Sequence, residues 1–516
     1  MISIDGKSLT IEEIYRIAHA CEQIKLSPNA IEAVKRSHEN LLTIVGKNLP
    51  VYGLNTGFGF FADQIISIEE SKKLNRNLIL SHSVGTGLPL PKYIVRAAMA
   101  IRVNTLAKGF SGVNFKVIDT LVEMLNKDVV PIVYSKGSLG SSGDLCMLAQ
   151  LAMVLTRDEN DDSIDSGLAE YKGGIVCGFE AMKSAGVERI VLSYKDGLAL
   201  INGATFSTAV LALCAYEAEF MLNLADMTVS LALESLVGRS DAFNSKIHEA
   251  RGLIGQIESA RRIREFIEGS TLVDSNNHNQ DAYSLRCAPQ VHGAARDTLE
   301  FVKYVVNKEI NAATDNPLVF SQDIVLSGGN FHGEPVGMAA DYLSIALSEI
   351  AAISERRLFR MMDKHLNFGL PAMLVDDSEE IGLNSGVMLL QYTASALVLE
   401  NQTLSSPDTV KSLPTSANQE DHNANAFNAA LHLLQIIENT FHVIAIEYYC
   451  ACRAIDMRLN MCPELRMGKK TEAAYQLLRQ KIPFRGGDAN WGEEVNYLHQ
   501  LLTSQEFRRH LLQILS

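Results

Sequence analysis

Residues 204–220 read ATFSTAVLALCAYEAEF and begin an apolar stretch of helical periodicity, which predicts one helix over 205–236. Such a helix is much longer than the mean globular helix of about 11 residues. Helices of this length are typical of bundles in which antiparallel helices run along the whole core. The same pattern recurs in five later segments, which are 242–268, 293–309, 332–364, 378–402 and 419–456. The sequence therefore predicts a mainly α protein with a bundle of long antiparallel helices in residues 201–516.

The first 200 residues carry shorter helical patterns separated by loops. Ser27 and Pro28 mark the boundary between two helices within residues 11–46, because serine is favoured at an N-cap and proline at the first helical position. Residues 155–195 contain the acidic run DENDDSID and several glycines, a pattern that predicts a surface excursion with short strands. This excursion is the best candidate for a boundary, so we expect a mixed N-terminal domain over 1–200 and a helical domain over 201–516.

Composition and charge restrict the class of protein. The chain has 516 residues, of which 47% are hydrophobic and 21% charged, and its formal net charge is −14. This acidic balance, without a dense Lys/Arg block, disfavours nucleic acid as a partner. The opening MISIDGKSLTIEEI predicts neither a signal nor a transit peptide. We expect polar or charged residues to interrupt the most apolar windows before they could span a bilayer, which predicts a soluble, cytoplasmic protein without a membrane partner.

The eight cysteines are scattered along the chain, which favours reduced thiols over a disulfide framework. Cys450 and Cys452 form a CxC pair within an apolar helical pattern that has no neighbouring histidine. Buried structural thiols are therefore expected there, rather than a metal site.

Residues 137–145 read GSLGSSGDL and allow three interpretations: a loop before a helix, a phosphate-binding loop, or a backbone that modifies itself. The stretch lacks the lysine of a P-loop and the GxGxxG spacing of a dinucleotide site, so phosphate binding is disfavoured. A small residue, a serine and a glycine in a tight turn would let the glycine nitrogen approach the preceding carbonyl carbon. Cyclisation there, with dehydration of the serine, would leave an electrophilic methylidene group.

Nine motifs in order resemble those of the ammonia-lyase and aminomutase family, which includes histidine, phenylalanine and tyrosine ammonia-lyases. The resemblance covers nearly the full chain, and the ordered set is specific although each motif alone could be helix-capping chemistry. The motifs are VYGLNTGFG, LNRNLILSHSVGTG, GSLGSSGDL, GLALING, QDAYSLRCAPQ, NAATDNPL, GGNFHGEP, LNSGVM and LPTSANQEDH.

The resemblance implies a prosthetic group, 4-methylideneimidazole-5-one, formed autocatalytically from Ser141, Ser142 and Gly143, with Ser142 losing water to become the methylidene carbon. The family usually has alanine at the first position, so Ser141 would place a hydroxymethyl instead of a methyl group on the ring. The family's proline after GDL is replaced by Cys146. The resemblance further implies a homotetramer whose active sites draw on several subunits, and no need for a metal or an external cofactor.

Eliminating an α-amine requires a base for the β-proton and an electrophile that turns the amine into a leaving group. Tyr52 resembles the family's catalytic base, and Arg286 resembles its clamp for the substrate carboxylate, for which a guanidinium fork is well shaped. The remaining positions match family residues that contact the amine, the carboxylate or the prosthetic ring. They are Asn202, Gln280, Tyr283 and Phe331.

The resemblance implies an amino-acid substrate, and two positions in the sequence indicate which amino acid it is. Ser81 and His82 match a pair common in histidine ammonia-lyases, although some tyrosine lyases also carry a histidine there. Glu420 matches the acidic residue of histidine lyases, and a carboxylate facing the side-chain pocket is costly against phenyl but can pair with imidazole. We therefore expect conversion of L-histidine to trans-urocanate and ammonia, as in histidine catabolism.

Four alternatives stay open at this point. The chain could be a lyase for tyrosine or another aromatic or imidazole amino acid, or a 2,3-aminomutase that returns the amine to the β-carbon. An eliminase that needs no prosthetic group is disfavoured by the intact Ser142 and Gly143. A non-catalytic helical scaffold would predict an unmodified Ser142.

Overall fold

The computed structural model describes residues 1–47, 56–57, 64–67, 70–376 and 380–515. Within these ranges nineteen α-helices account for most of the structure, and nine strands of two to four residues make up the sheets. The prediction of a mainly α protein is confirmed.

The helices are α1 (Ile11–His19), α2 (Pro28–Val45), α3 (Ser71–His82), α4 (Lys92–Ala107), α5 (Phe115–Asn126), α6 (Leu145–Leu155), α7 (Gly178–Ala185), α8 (Asp196–Ile201), α9 (Thr205–Ser235), α10 (Ser245–Arg251), α11 (Ile254–Phe266), α12 (Tyr283–Arg286), α13 (Ala288–Glu309), α14 (Glu334–Met362), α15 (Met388–Leu404), α16 (Ala426–Met461), α17 (Lys469–Lys481), α18 (Trp491–Thr503) and α19 (Gln505–Leu515). The strands are β1 (Ile2–Ile4), β2 (Ile24–Leu26), β3 (Thr86–Pro89), β4 (Val130–Pro131), β5 (Tyr134–Lys136), β6 (Leu168–Tyr171), β7 (Gly174–Cys177), β8 (Leu318–Val319) and β9 (Val325–Leu326).

The described strands form small sheets that fix loops. β1 and β2 pair in parallel, β8 pairs antiparallel with β9, and β6 lies between β4 and β7 in an antiparallel sheet. β3 pairs antiparallel with β5, with Thr86 opposite Lys136. Because β3 follows shortly after α3 and β5 leads directly into residue 137, this pairing holds the end of α3 close to the GSLGSSGDL loop.

The long helix predicted over 205–236 is confirmed as α9. The helix predicted over 242–268 is interrupted, because Gly252 adopts a left-handed conformation (φ 81°) that ends α10 before α11 begins at Ile254. Glycine adopts this conformation without the steric penalty of a side chain. The helix predicted from 378 begins only at Met388, after Gly382 and Gly386 with φ values of 98° and 60°.

The prediction that no apolar window is long enough to cross a bilayer is wrong. Three helices, α9, α14 and α16, have the length and composition that would allow a crossing, and 78%, 67% and 67% of their most apolar windows are buried inside the protein. Polar residues do not interrupt these helices, because hydroxyls bond back to helix carbonyls: Thr208 Oγ1 donates to the Ala204 carbonyl at 2.6 Å. Burial in the core accounts for the apolar character of these windows.

The chain forms two compact units. The first comprises Met1–Tyr216, Val302–Asp341 and Pro407–His432, and the second comprises Glu217–Phe301, Tyr342–Ser406 and Leu433–Ser516. The predicted domain division at residue 200 stays a prediction. The first unit differs from it by including two later segments, and these carry Phe331 and Glu420.

None of the eight cysteines, all of which lie in described residues, forms a disulfide. Cys450 and Cys452 are fully buried in α16, and burial raises the pKa of the Cys450 thiol to about 12. This matches the expected buried structural thiols.

Candidate active site

Asp144 anchors the GSLGSSGDL loop at the start of α6. Its carboxylate is fully buried and accepts hydrogen bonds from Ser138 Oγ at 2.8 Å, from the Ser207 backbone N–H at 2.8 Å and from Ser207 Oγ at 2.9 Å. Burial raises the pKa of Asp144, while these hydrogen bonds oppose the shift. One carboxylate thus ties the beginning of the loop to the beginning of α9.

Gly143 lies directly against Gly203. The two form an isolated parallel bridge, in which the Asp144 N–H donates to the Gly203 carbonyl at 2.9 Å. Gly143 has a φ of 78°, and a Cβ atom added to it would lie well under 3.0 Å from the backbone of Gly203. Both the conformation and the close backbone approach therefore require glycine at position 143.

Replacing Gly143 by alanine is expected to disrupt the loop far more than conformational strain alone would. Gly173 offers a matched control, because it has a φ of 79° and a Cβ atom added to it would meet no other atom within 4 Å. Gly173→Ala should cost about 1–2 kcal/mol of unfolding free energy from the left-handed conformation. Gly143→Ala should lower the free energy of unfolding by about 1–3 kcal/mol more than Gly173→Ala, because the added Cβ atom would overlap the fixed backbone of Gly203. It should also abolish activity. Chemical unfolding and activity assays of both variants check this, and equal losses of stability would contradict it.

Asn202 and Gly203 hold the carbonyl of Ser142. Asn202 Nδ2 donates to the Ser142 carbonyl at 2.9 Å, and the Gly203 N–H approaches the same oxygen at 3.4 Å. Arg102 in turn holds the Asn202 carbonyl through Nη2 at 2.9 Å, and also donates from Nη1 to the Ala199 carbonyl at 3.1 Å. Burial lowers the pKa of Arg102 to about 10, so it stays a cation at neutral pH. Its charge fixes the turn between α8 and α9 against the loop.

Glu420 lies beside the serine of the loop. Ser142 Oγ donates to Glu420 Oε1 at 2.7 Å, and Thr415 Oγ1 donates to Glu420 Oε2 at 3.1 Å. The backbones of Thr415 and Glu420 form an antiparallel bridge, with the Thr415 N–H donating to the Glu420 carbonyl at 2.8 Å. This tight turn aims the carboxylate at Ser142.

His82 occupies the last position of α3. Its Nδ1 lies 2.9 Å from the Leu78 carbonyl and 3.0 Å from Ser81 Oγ. Because a carbonyl only accepts, Nδ1 carries the proton and Nε2 keeps a lone pair in the neutral ring. Burial lowers the pKa of His82, and the Leu78 carbonyl and the charge of Glu420 partly offset the shift. His82 is therefore neutral at neutral pH and acts as a hydrogen-bond acceptor.

Ser142, Asn202, Glu420 and His82 line one cavity of about 1130 Å³ within the first unit. Its polar lining residues include Ser142, Glu420 and His82, and its apolar lining residues include Leu145 and Phe331. The other described lining residues are Gly57, Gln64, Ile66, Leu74, Asn77, Leu78, Ser81, Ser141, Leu198, Ile201, Asn316, Ser327, Gly328, His332, Ser416, Gln419, Asp421 and His422. A cavity whose lining combines apolar side chains with convergent polar groups is typical of a small-molecule site.

Six of the eleven predicted site residues line this cavity, and Gly143 follows directly in the loop. The six are His82, Ser141, Ser142, Asn202, Phe331 and Glu420. Gln280, Tyr283 and Arg286 belong to the second unit and are not among the described lining residues. The Tyr283 side chain is 70% exposed, and the Arg286 guanidinium lies 4.7 Å from the centre of its ring. Tyr52 lies outside the described residues.

The sequence model of the aromatic amino acid lyase family matches residues 9–480. The chain belongs to the aromatic amino acid lyase family. A histidine ammonia-lyase from Caldanaerobacter subterraneus subsp. tengcongensis is 47% identical over 484 residues, which cover 93% of this chain and 92% of that protein. The predicted resemblance is therefore confirmed.

Solved structures of lyases and aminomutases share the fold of this family member. The crystal structure of a histidine ammonia-lyase from Trypanosoma cruzi matches with a TM-score of 0.89 at 35% identity, covering 99% of this chain and 95% of that one. A tyrosine aminomutase from Streptomyces globisporus matches with a TM-score of 0.92 at 31% identity, covering 99% and 98%. Enzymes of this family act through 4-methylideneimidazole-5-one, and the chain is accordingly a carbon–nitrogen lyase by family.

Sequence reasoning missed several residues of this lyase's cavity. His332 and His422 both line it, and His332 Nε2 lies 3.1 Å from the His422 carbonyl. Both stand in the motifs GGNFHGEP and LPTSANQEDH, so their position in those motifs was an available signal. Arg102, which supports the site without lining the cavity, was also missed, although Arg96 and Arg102 stand in an otherwise mostly apolar helical pattern, which is a recognisable signal for buried structural cations.

Proposed function

We propose that this protein eliminates ammonia from L-histidine to give trans-urocanate, and that it does so as a cytoplasmic homotetramer. The observation that carries the substrate is the Glu420 carboxylate, whose Oε1 lies 2.7 Å from Ser142 Oγ inside the cavity. The histidine ammonia-lyases among its relatives, at 41–47% identity, support the same substrate.

Ser141, Ser142 and Gly143 are the proposed source of 4-methylideneimidazole-5-one, with a hydroxymethyl group contributed by Ser141. Two observations fit that group. Gly143 has no side chain to obstruct its nitrogen, and the buried Oδ1 of Asn202 has no hydrogen-bond partner among the described residues. When formed, the group supplies an electrophile that makes the substrate amine a good leaving group. The chain's own part is to hold the Ser142 carbonyl, through Asn202 Nδ2 and the Gly203 N–H.

Glu420 and His82 are the proposed imidazole-binding pair. An imidazole has one N–H donor and one acceptor nitrogen, and it gains a second donor when protonated. The Glu420 carboxylate only accepts hydrogen bonds, and the unprotonated Nε2 of a neutral His82 accepts as well. A phenyl ring offers neither acceptor a partner and would leave a desolvated carboxylate unpaired, which costs about 2 kcal/mol or more. The arrangement therefore favours histidine over phenylalanine.

Tyr52, Arg286, Gln280 and Tyr283 keep the roles that the family resemblance assigns. Tyr52 is proposed to remove the β-proton, and Arg286 to bind the substrate carboxylate. Tetramer assembly is proposed to deliver the second-unit residues from other copies of the chain. A variant that stays monomeric should then keep its helices by circular dichroism and lose activity, and an active monomer would argue against this assignment.

A 2,3-aminomutase is the second candidate, because the tyrosine aminomutase structure matches over 99% of the chain. An aminomutase uses the same electrophile but returns the amine to the β-carbon. The product separates the two activities, since a mutase accumulates a β-amino acid and a lyase accumulates the conjugated acid with free ammonia.

A substrate panel tests the proposed function. Purified protein is incubated with L-histidine, L-tyrosine, L-phenylalanine and the betaine of histidine, while ultraviolet absorbance follows the conjugated acid and chromatography detects β-amino acids. The proposal expects the highest kcat/KM for L-histidine, with urocanate and ammonia formed in equal amounts. A preference for tyrosine or phenylalanine, or β-histidine as the main product, would refute it.

The dependence of kcat/KM on pH should reflect the protonation of His82. Protonation would remove its Nε2 acceptor, so kcat/KM for L-histidine should fall as the pH drops through its lowered pKa, below the ordinary value of 6.5. His82→Gln keeps a polar group of similar reach that does not titrate there. This variant should lose the corresponding ionisation from the acid limb and lower kcat/KM at pH 8 by about tenfold or less. His365→Gln, at an exposed histidine, is the control and should leave the pH profile unchanged. If His82→Gln keeps the wild-type fall in kcat/KM at low pH, a group other than His82 causes that fall.

A further inference from the structure

Two histidines and a glutamate meet in the second unit, apart from the candidate active-site residues. Glu438 and His442 lie one turn apart on α16, and His499 lies on α18. Their ligand atoms are all within 4.8 Å of one another. None of the three is among the described residues that line the candidate active-site cavity.

The distances from the Glu438 carboxylate to the two imidazole nitrogens match the donor spacing of a tetrahedral metal site. Glu438 Oε1 lies 3.4 Å from His442 Nε2 and 3.3 Å from His499 Nε2. Zinc–ligand bonds of about 2.0–2.1 Å in tetrahedral geometry place neighbouring donor atoms about 3.3–3.4 Å apart. The two imidazole rings stack face to face, with their centres 3.7 Å apart and 8° between their planes. Imidazole binds a metal in its own ring plane, so binding one ion requires one ring to turn, and the partly exposed His442 is the ring with room to do so.

His499 supplies an independent sign of a missing ligand. The residue is only 9% exposed, and its Nε2 is buried without a hydrogen-bond partner among the described residues. Its approach to Glu438 Oε1 therefore lacks hydrogen-bond geometry. A buried polar nitrogen left without a partner costs stability. A metal ion would give this nitrogen a bond.

The cluster can be reached from solvent, and the arginine whose charge acts on it is itself paired with a carboxylate. The side chains of Glu438 and His442 are 52% and 27% exposed. Arg508, whose charge acts on His499, is paired with Glu217 through two hydrogen bonds of 2.9 and 2.7 Å. The carboxylate of Glu438 therefore remains available to balance the charge of a metal ion.

We propose that Glu438, His442 and His499 bind one Zn²⁺ ion per chain, with water as the fourth ligand. Two imidazoles and one carboxylate suit zinc, whereas Mg²⁺ and Ca²⁺ prefer coordination by oxygen alone, and only Glu438 of the three supplies oxygen. The ion would join α16 to α18 and stabilise the C-terminal helices. It has no part in the elimination reaction.

Zinc binding to the full-length protein tests this proposal. Chelator-treated protein is titrated with Zn²⁺, and bound metal is measured after equilibrium dialysis. Wild type and the exposed control His510→Gln should each bind one ion per chain. Glu438→Gln and His442→Gln should weaken that binding by more than about tenfold, since loss of mere outer-shell partners already reaches that range. Mg²⁺ should not compete.

Two further readouts separate the site from other histidines. Co²⁺ should give the intense visible absorption of tetrahedral coordination in wild type and His510→Gln, and lose it in Glu438→Gln. Zn²⁺ should raise the Tm of wild type but not of Glu438→Gln, which removes no buried group and so should still fold. Unchanged zinc binding in both Glu438→Gln and His442→Gln would overturn the proposal, and so would binding that is lost in Glu420→Gln instead.

Discussion

Ser142→Ala is expected to abolish the turnover of L-histidine, lowering kcat by roughly 10⁴-fold or more, the scale on which removal of a covalent catalytic group acts in other enzymes. The hydroxyl of Ser142 is the proposed leaving group in forming the methylidene carbon, and alanine has none to lose. The substitution removes one hydrogen bond to Glu420 and no packed group, so the helices should stay folded. A continuous absorbance assay with circular dichroism of the same sample measures both.

Ser141→Ala is the matched control for this result. The Ser141 hydroxyl accepts a hydrogen bond from the Ala424 N–H at 3.2 Å and lies 3.4 Å from the Leu139 carbonyl. Its loss should cost about 1 kcal/mol of stability. Because alanine is the family's usual residue at this position, the variant should still cyclise and still turn over L-histidine. Comparable activity in Ser142→Ala and wild type would contradict the proposed chemistry.

Glu420→Gln is expected to lower kcat/KM for L-histidine by roughly one to two orders of magnitude, the value of a hydrogen bond to a charged group. Before Ser142 loses its hydroxyl, glutamine can still accept the hydrogen bond from Ser142 Oγ, so the loop should still fold and cyclise. The negative charge that pairs with the imidazole disappears. Activity towards phenylalanine and tyrosine should therefore fall much less than activity towards histidine.

Asp421→Asn provides the comparison for Glu420→Gln. Asp421 also lines the cavity and carries the same charge, but Ser142 donates its hydrogen bond to Glu420 and not to Asp421. We expect Asp421→Asn to affect kcat/KM for histidine less than Glu420→Gln. Equal losses for histidine and phenylalanine in Glu420→Gln would remove the basis for the histidine assignment.

Helix type and length could be predicted where the local pattern is strong. The apolar periodicity after residue 204 predicts α9 to within one residue of its end, because nothing in 205–235 favours a break. The interruption at Gly252 was not predicted, since a glycine inside a periodic pattern is often tolerated and only the folded chain fixes its left-handed conformation. Local propensity likewise could not show that residues 302–341 and 407–432 fold with the N-terminal residues.

In the candidate site, too, some residues could be predicted from the sequence and others could not. The ordered motifs predicted that His82, Ser142 and Glu420 belong to one site, and all three line one cavity. Motif reasoning did not find Arg102, because its role depends on the carbonyl of Asn202, 100 residues later in the chain. The proposed zinc cluster was missed for the same reason: Glu438 and His442 share a helix face, but His499 comes close only through tertiary packing.

Residues 141–143 are proposed to form the enzyme's own electrophile, and the mass of the peptide that contains them tests this most directly. Proteolysis and mass spectrometry of the wild-type protein should show this peptide lighter by two water molecules. Ser142→Ala should not show that loss, whereas Ser141→Ala should. An unshifted mass in fully folded wild-type protein would contradict the proposed chemistry.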